Sequence, residues 1–333
     1  MKIGLTLGKF APFHRGHQLV VETALRECDA VKLIIYNCPE ATEVPLPIRK
    51  NWIQTLYPTV EIIEAWGGPT ETGHTPEIEK AHENYIIHEL GVRGITHFYS
   101  SERYGDHVSR ALNAENRLVD STRENIPISA SEIRRDPFAH RDWLHPIVLR
   151  DFVINAVFLG APSTGKTTLS SKLAQDYQTL WMPEYGRKYW DLHNIDRRLT
   201  LPQLEEIAVG HLQREDELVL RANRILFTDT NALTTRMFSH YYNGDATPGL
   251  EKLADNCAAR YDVVFLCEDD IPYEDDSDRS GEANRTEFQK RIRADLSMRK
   301  IPYFVLSGDL ESRAREVGRV LSRVRKWTNW LSS

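Results

Sequence analysis

The sequence predicts an α/β protein with two domains, each built around a parallel β-sheet. Apolar, strand-like runs alternate with segments of helical periodicity, the order typical of parallel sheets covered by helices on both faces. This alternation breaks at 137–150, and a second series starts with VINAVFLG at 153–160. We therefore place a boundary at residue 147, which gives domains of 1–147 and 148–333, each long enough for its own core.

Five strands and three helices are predicted for the first domain. Gly91 ends the last predicted helix, at the place where a glycine C-cap is expected. Four apolar residues of that helix share one face and are expected to be buried: Ile78, Ala81, Tyr85 and Ile86. The predicted strands are 2–8, 30–38, 60–66, 95–101 and 116–120, and the predicted helices are 17–28, 47–58 and 77–91.

The second domain shows the same alternation. Its short apolar runs have the form expected of buried parallel strands. The arginines of the closing segment, 310–331, are interpreted as the solvated face of a packing helix rather than a nucleic-acid stripe. Its apolar face is formed by Ala314, Val317, Leu321, Val324 and Leu331. The predicted strands are 153–160, 178–184, 224–230, 262–267 and 302–308, and the predicted helices include 167–177 and 200–223.

Composition and charge narrow the class of protein. The chain is 41% hydrophobic and 27% charged, and its apolar runs are too short for a membrane span. MKIGLTLGKF lacks the features of a secretory signal, so a cytoplasmic location is expected. The net charge of -6 argues against general nucleic-acid binding. The cysteines lack metal-binding spacing and are interpreted as reduced thiols: Cys28, Cys38, Cys257 and Cys267.

The clearest motif is GAPSTGKT at 160–167, which fits G-x-x-x-x-G-K-[ST] and lies between a predicted strand and a predicted helix. In such a loop the main-chain N–H groups point at phosphate oxygens, and the helix N-terminus adds positive potential. Lys166 is expected to reach the β- and γ-phosphates, and the Thr167 hydroxyl to bind Mg²⁺. A glycine-rich structural turn is the competing interpretation. The expected nucleotide contacts are Gly160, Ser163, Thr164, Gly165, Lys166, Thr167 and Thr168.

Two carboxylates could serve a kinase reaction at this loop. Asp229 ends an apolar strand, where a carboxylate can hold Mg²⁺ or orient the acceptor, although an aspartate there commonly caps the next helix. Glu184 lies at the end of the strand QTLWMPE and could accept the proton of a substrate hydroxyl, or form a surface salt bridge. Which of the two acts as the base is left open. Arg187, three residues further on, is assigned to nucleotide binding.

An acidic segment at 276–287 matches the D-x-D-x-S-G-x5-E spacing of a calcium loop. A strand and a proline-containing turn precede it, whereas an EF-hand needs an entering helix. We interpret the segment instead as a mobile loop near the phosphates. Its Arg279 and Arg285 are expected to stabilise charge during phosphoryl transfer.

The stretch GKFAPFHRGH at 8–17 allows three interpretations for His14 and His17: a metal site, a structural turn or a phosphate site. A metal site needs a third ligand, and the sequence offers no other cluster with suitable spacing. Phosphate fits best, because His17 lies at the start of a helix whose dipole favours an anion. Together with Lys9, the histidines can hold the phosphates of a nucleotide and steady a departing pyrophosphate.

A second phosphate-binding element is predicted at PISASEIRRDPF, 127–138. Ser129 is a plausible helix N-cap, with Glu132 at the capping-box position. Ser131 and Arg134 would then close on the β- and γ-phosphates. An ordinary capped helix without a ligand is the alternative.

GKFAPFHRGH resembles the G-x-F-x-P-x-H-x-G-H motif of the nucleotidylyltransferase superfamily, and ISASEIR resembles its second motif, I-S-x-[ST]-x-I-R. With the P-loop, EYGR at 184–187 and a strand ending in DT, the whole chain resembles the NadR family. The resemblance implies a Rossmann-like nucleotidylyltransferase domain followed by a P-loop kinase domain. It also assigns Gly8, Phe10 and Gly16 to nucleotide binding.

The resemblance implies two reactions, with ATP as a substrate in both domains and Mg²⁺ as the cofactor. The C-terminal domain would phosphorylate nicotinamide riboside, and the N-terminal domain would adenylylate the resulting mononucleotide to NAD and release pyrophosphate. The implied partners are small molecules: ATP, nicotinamide riboside, nicotinamide mononucleotide and NAD. A homo-oligomer is compatible with the sequence.

Two features depart from the family. Enterobacterial members carry an N-terminal helix-turn-helix domain, whereas strand one here starts at residue 2, so no DNA-binding domain is expected. Some relatives have tryptophans in a region that can stack the nicotinamide ring, and the corresponding 70–85 has none. The alternatives are a transferase–kinase pair acting on another nucleoside or a pantetheine-like acceptor, and a nucleotide sensor without turnover.

Overall fold

The computed structural model describes residues 1–69, 71, 73, 75–102, 105–194, 199–273 and 281–327. The chain divides into two compact units, Met1–Leu149 and Arg150–Ser333. Each unit contains a five-stranded sheet in which all neighbouring strands are parallel. The prediction of an α/β protein with two parallel sheets is confirmed.

In the first unit the strand order is β3-β2-β1-β4-β5, so the direction of the chain's winding reverses at β1. Strands β1 and β2 pair from Ile3↔Ala30 to Gly8↔Ile35. The strands are β1 (Ile3–Gly8), β2 (Ala30–Tyr36), β3 (Glu61–Ala65), β4 (His97–Ser100) and β5 (Glu115–Leu118). The helices are α1 (Arg15–Glu27), α2 (Leu46–Leu56), α3 (Pro76–Asn84), α4 (Gly105–Leu112), α5 (Ala130–Arg135) and α6 (Pro146–Leu149).

The helix around 77–91 differs from the prediction. Helix α3 continues into a π-helical turn, Tyr85–Glu89, whose extra residue per turn rotates the buried face. Tyr85 and Ile86 are buried as expected, but Ala81 is exposed and Ile78 is only partly buried. The inward placement of Ala81 was therefore wrong, because a regular helix of 3.6 residues per turn does not continue through this segment.

In the second unit the strand order is β10-β9-β6-β8-β7. The central strand, β6, is the one that leads into the GAPSTGKT loop. The strands are β6 (Ile154–Leu159), β7 (Leu180–Met182), β8 (Ile225–Asp229), β9 (Val263–Cys267) and β10 (Phe304–Leu306). The helices are α7 (Lys166–Asp176), α8 (Tyr185–His193), α9 (Leu201–Val219), α10 (Ala232–Asn243), α11 (Pro248–Asp255), α12 (Cys257–Arg260), α13 (Gly281–Met298) and α14 (Leu310–Leu321). Short 3-10 turns lie at Arg141–Trp143 in the first unit and Arg150–Phe152 in the second.

Two predictions for the second unit need correction. The run 302–308 was expected to form a buried strand, but β10 lies at the sheet edge and leaves Phe304 and Val305 exposed. The closing helix ends at Leu321, and its arginines are not all solvated, because Arg313 is buried. The apolar face is otherwise as predicted through Val317 and Leu321. Leu331 lies outside the described residues.

Helices of the described ranges are too short or too polar to cross a membrane. All four cysteines are free thiols.

Phe227 lies in the core of the second unit, so we expect its truncation to destabilise the fold strongly. Its ring is fully buried between Phe158 at 6.0 Å and Tyr177 at 5.5 Å between ring centroids. We expect Phe227→Ala to lower the free energy of unfolding by about 3–5 kcal/mol, because a cavity replaces these contacts. Urea denaturation followed by circular dichroism measures this. Leu192→Ala, at a side chain 69% exposed, is the control and should change stability by less than about 0.5 kcal/mol.

Candidate functional site

The first candidate site lies where the winding of the first sheet reverses. Parallel sheets bind ligands outside the carboxyl ends of their strands at such a point. Here the loop after β1, the end of β4 at Ser100 and the segment 119–134 together line a cavity of about 450 Å³. The structure brings the two predicted motifs to this one cavity. The predicted residues that line it are Gly8, Lys9, Phe10, His14, Gly16, His17, Ser129, Ser131 and Arg134.

The two histidines cap the helix that follows β1. His14 is the N-cap of α1, and its Nδ1 accepts a hydrogen bond of 3.0 Å from the Gly16 amide. The His17 Nδ1 in turn accepts from the His14 amide at 3.4 Å, which makes a capping box of two histidines. Since both Nδ1 atoms accept, the hydrogen-bond pattern assigns the ring hydrogen to Nε2 in each. The rings lie together, with centroids 3.9 Å apart.

Burial favours the neutral form of both histidines. Burial, together with the nearby Arg123 and Arg134 guanidinium groups, lowers the pKa of His14 to about 4. Burial also brings the pKa of His17 well below its usual value, and the nearby His14 adds to this shift. A neutral imidazole with its hydrogen on Nε2 is a hydrogen-bond donor, and the His17 ring also has a backbone hydrogen bond with Pro12, which opposes the lowering of its pKa.

The second motif forms the capped helix that the sequence predicts. The Ser129 Oγ accepts from the Glu132 amide at 3.2 Å, and the Ser129 amide donates to the Glu132 carboxylate at 2.8 Å. Arg134 reaches back to the first motif and donates to the carbonyl of Ala11 at 2.6 Å and to the Ser131 Oγ at 2.8 Å. Its guanidinium thus links the two predicted phosphate-binding elements.

Sequence reasoning missed three charged residues of this site. The Lys9 Nζ lies 3.0 Å from the carboxylate of Glu40, so the predicted phosphate ligand is paired with an acid. Arg123 lines the cavity from a left-handed backbone position, φ 56°. Arg49 is fully buried and donates to the carbonyls of Lys9, Tyr36 (2.9 Å) and Val44 (3.0 Å). Arg49 lies on the apolar face of the predicted helix 47–58, and this position was the sequence signal for a buried arginine.

The second candidate site is the predicted P-loop. Gly160 (φ 149°) and Gly165 (φ 76°) adopt backbone conformations that favour glycine. A Cβ at Gly160 would lie 2.7 Å from the carbonyl oxygen of Cys267, so the loop also needs glycine for its packing on β9. Thr164 is fully buried, and its hydroxyl donates to the Ala161 carbonyl at 2.8 Å. The loop therefore has the strand–loop–helix form expected of a phosphate cradle.

Lys166, Thr167 and Asp229 meet at the start of α7. The Lys166 Nζ donates to the Ala161 carbonyl at 2.9 Å, and the Thr167 hydroxyl donates to the Asp229 Oδ2 at 2.5 Å. Asp229 is fully buried, and its Oδ1 lacks a hydrogen-bond partner within the described residues. Burial raises the pKa of Asp229, while Lys166, the Thr167 hydroxyl and Arg187 act in the opposite direction.

These oxygen atoms fit a magnesium ion. An unpartnered carboxylate oxygen beside a threonine hydroxyl is a set of hard donors, and Mg²⁺ prefers such donors together with phosphate and water. Within the described ranges there is no cluster of three or more His, Cys, Asp or Glu side chains suited to a metal. A metal here would consequently depend on nucleotide phosphates for part of its coordination.

The other residues predicted for the kinase site are Glu184, Arg187, Arg279 and Arg285. Glu184 is the N-cap residue of α8 and partly buried, and Arg187 lies in the first turn of that helix. Arg285 was expected in a loop beside the phosphates. Instead it is buried in α13 and donates to the carbonyls of Ser163 and Ile271, both at 2.8 Å. Its charge thus faces the main chain of the P-loop. Arg279 lies outside the described residues.

The pKa of His14 leads to a prediction for acid stability. The unfolded chain takes up a proton at this residue near pH 6.5, whereas the folded protein does so only near pH 4. Between these values the unfolded state binds more protons, so the free energy of unfolding falls as the pH falls. We expect wild type to lose about 3 kcal/mol more than His14→Gln between pH 6.5 and 4.

Denaturant titrations at several pH values measure this difference. His88→Gln, at an exposed histidine of the same unit, is the control and should retain the wild-type slope. Equal slopes for wild type and His14→Gln would contradict the depressed pKa.

Known proteins resemble this chain over most of its length. Residues 155–313 match the family model described as an AAA domain. The trifunctional NAD biosynthesis/regulator protein NadR of Escherichia coli (strain K12) is 30% identical over 309 residues, which cover 87% of this chain and 75% of that protein. The protein of the same name from Salmonella typhimurium (strain LT2) is 29% identical, with the same coverage.

Solved structures show the same fold. A crystal structure of NadR protein in complex with NR superimposes with a TM-score of 0.60 at 22% identity, covering 97% of this chain and 96% of that one. A NadR structure in complex with NAD and AMP-PNP gives a TM-score of 0.58 at 21% identity, with the same coverage. Given the sequence identity to the Escherichia coli protein across three quarters of its length, the chain belongs to the NadR family.

Proposed function

We propose that this protein makes NAD in two steps, as a ribosylnicotinamide kinase and a nicotinamide mononucleotide adenylyltransferase. The observation that supports this proposal is that each unit of a NadR-family chain has its own loop with hydrogen-bond donors suited to phosphate. The Rossmann-like nucleotidylyltransferase domain is assigned to 1–147 and the P-loop kinase domain to 148–333.

In the kinase reaction the 5′-hydroxyl of nicotinamide riboside attacks the γ-phosphate of ATP, and ADP leaves. Thr167 and Asp229 would hold Mg²⁺, which neutralises phosphate charge when it is bound. Lys166 exchanges the Ala161 carbonyl for phosphate oxygens, since a cation prefers the anion to a neutral acceptor. The loop amides and this lysine then position the γ-phosphate and stabilise its charge.

We assign Glu184 as the group that accepts the hydroxyl proton. Asp229 is buried and its Oδ2 accepts from the Thr167 hydroxyl, an arrangement suited to metal binding rather than proton transfer. Glu184 lies at the N-cap of α8, two residues after the end of the strand β7 that neighbours β8. The carboxyl ends of neighbouring parallel strands open on the same edge of a sheet, so both carboxylates belong to that edge.

In the adenylyl transfer the phosphate of the mononucleotide attacks the α-phosphate of a second ATP. The bond between the α-phosphorus and its bridging oxygen breaks, and pyrophosphate leaves. The nucleophile is already anionic, so catalysis needs positioning and charge stabilisation rather than a base. His14 and His17 supply neutral Nε2–H donors, and Lys9, Arg123 and Arg134 supply positive charge around the same cavity.

Lys9 needs a change of partner in this reaction. It is paired with Glu40 at 3.0 Å, and both side chains are more than a third exposed. An exposed ion pair contributes little stability, so triphosphate binding can replace it at low cost. The cytoplasmic location and the homo-oligomer stay predictions.

Incubation of the purified protein with ATP, Mg²⁺ and nicotinamide riboside tests the proposal. NAD and pyrophosphate are the expected products. ATP binding without turnover would favour a nucleotide sensor instead. Turnover only with another nucleoside or a pantetheine-like acceptor would favour the transferase–kinase alternative, and riboside phosphorylation alone would contradict the adenylyltransferase assignment.

Substitutions in the two loops should separate the two activities. Lys166→Ala is expected to lower riboside phosphorylation on the order of 100-fold or more, while NAD formation from supplied mononucleotide stays at the wild-type rate. His17→Ala should show the reverse pattern. The controls are Lys172→Ala, at a partly exposed lysine of α7 that is paired with Asp176, and His88→Ala, both expected to retain both activities. Loss of both activities in a folded Lys166→Ala protein would contradict independent sites.

A further inference from the structure

We propose that Arg313, in the helix after the last strand, is a positioning residue for ATP in the P-loop of the second unit. It would act together with Arg285 by holding two consecutive loop carbonyls away from the nucleotide. This inference rests on the proposed kinase function for its catalytic readout, although nucleotide binding alone also tests it.

Arg313 is only 2% exposed, and each of its three guanidinium nitrogens donates a hydrogen bond. Its Nη1 donates to the Thr164 carbonyl at 2.7 Å and its Nε to the Gly308 carbonyl at 2.8 Å. Its Nη2 donates to the Glu268 carbonyl at 3.1 Å and also bonds the Asp270 carboxylate. A single side chain thus joins the P-loop to the segments that follow β9 and β10.

Arg285 likewise donates a hydrogen bond to the carbonyl of the preceding loop residue, Ser163. Its Nη2 donates to the Ser163 carbonyl at 2.8 Å, and its Nη1 donates to the Ile271 carbonyl at 2.8 Å. The carbonyls of Ser163 and Thr164 are therefore each held by a different buried arginine, one from α13 and one from α14.

Because the peptide bond is planar, the direction of these two carbonyls also fixes the direction of the neighbouring amides. In a trans peptide the C=O of one residue and the N–H of the next point in opposite directions. Because the Ser163 and Thr164 carbonyls face the arginines, the amides of Thr164 and Gly165 face the other way. These amides belong to the anion-binding part of the loop, so the arginines preorganise donors for phosphate without touching it.

A lysine could keep the charge of Arg313 but not its contacts. Its single ammonium group has three donors on one atom, whereas the planar guanidinium donates in several directions at once. Comparing arginine with lysine therefore separates a geometric role in shaping the loop from a simple electrostatic attraction of ATP.

The test is Arg313→Lys, measured in full-length protein. We expect a rise in the KM for ATP in riboside phosphorylation on the order of 10- to 100-fold, the loss expected for hydrogen bonds to a buried charge. The KM for nicotinamide riboside and the adenylyl transfer of the first unit should stay at wild-type values. Arg319→Lys is the matched control, because Arg319 lies on the same helix but is exposed and paired with Glu316.

Calorimetric titration with a non-hydrolysable ATP analogue gives an independent readout, in which the binding that Lys166→Ala weakens is the one assigned to the P-loop. If wild type binds the analogue but fails to phosphorylate riboside, the proposed function fails, and the weaker analogue binding of Arg313→Lys still tests the arginine. A folded Arg313→Lys protein with wild-type affinity and wild-type KM for ATP would overturn the inference. An equal rise in the KM for both substrates would also overturn it, since that points to general loosening of the fold.

Asp270→Asn covers the case in which Arg313→Lys does not fold. Asp270 is partly exposed, so this change removes the charged partner of Arg313 without opening a cavity in the core. A severalfold rise in the KM for ATP is expected, and an unchanged KM for ATP would overturn the inference.

Discussion

Both candidate sites depend on hydrogen bonds from buried arginines to main-chain carbonyls. Arg49 holds the carbonyl of Lys9 in the first unit, and Arg285 and Arg313 hold those of Ser163 and Thr164 in the second. Burying a guanidinium costs less free energy when its donors have acceptors, and loop carbonyls provide acceptors without introducing negative charge. The same hydrogen bonds thus give the arginine acceptors and give the loop carbonyls donors.

The polarity of the peptide explains why this interaction suits phosphate sites. A loop that binds an anion needs its N–H groups on the ligand side and its carbonyls elsewhere. Carbonyls that were left buried without donors would cost free energy, and carbonyls turned toward the phosphate would repel it. Arginines on the side of the loop away from the ligand pair with these carbonyls and keep them turned away from the phosphate. Their positive charge also favours a nearby anion.

The two sites differ in how they stabilise charge. In the second unit the lysine Lys166 and the hydrogen-bonded oxygens of Thr167 and Asp229, which we propose as metal ligands, lie beside the loop amides. In the first unit His14 and His17 form the helix cap itself and are kept neutral by burial and neighbouring arginines. Neutral donors suit adenylyl transfer, where the nucleophile needs no base and the leaving pyrophosphate needs hydrogen bonds.

The amino-acid sequence by itself determined the two parallel sheets, the P-loop and the capping box of Ser129 and Glu132. These features are local: alternation of strands and helices, glycine spacing and caps within four residues of each other can be read from neighbouring positions. The shift of the buried face at Tyr85 could not be read in this way, because a π-helical turn changes the period itself.

Only the tertiary structure decided the roles of Arg49, Arg285 and Arg313. Arg313 lies 149 positions from Thr164 along the chain, and an arginine in an amphipathic helix is normally solvated. The same holds for the exposed edge strand β10, whose apolar residues look like those of a central strand. Burial and hydrogen bonding of these side chains depend on which distant segments pack together, and a local pattern carries no record of that packing.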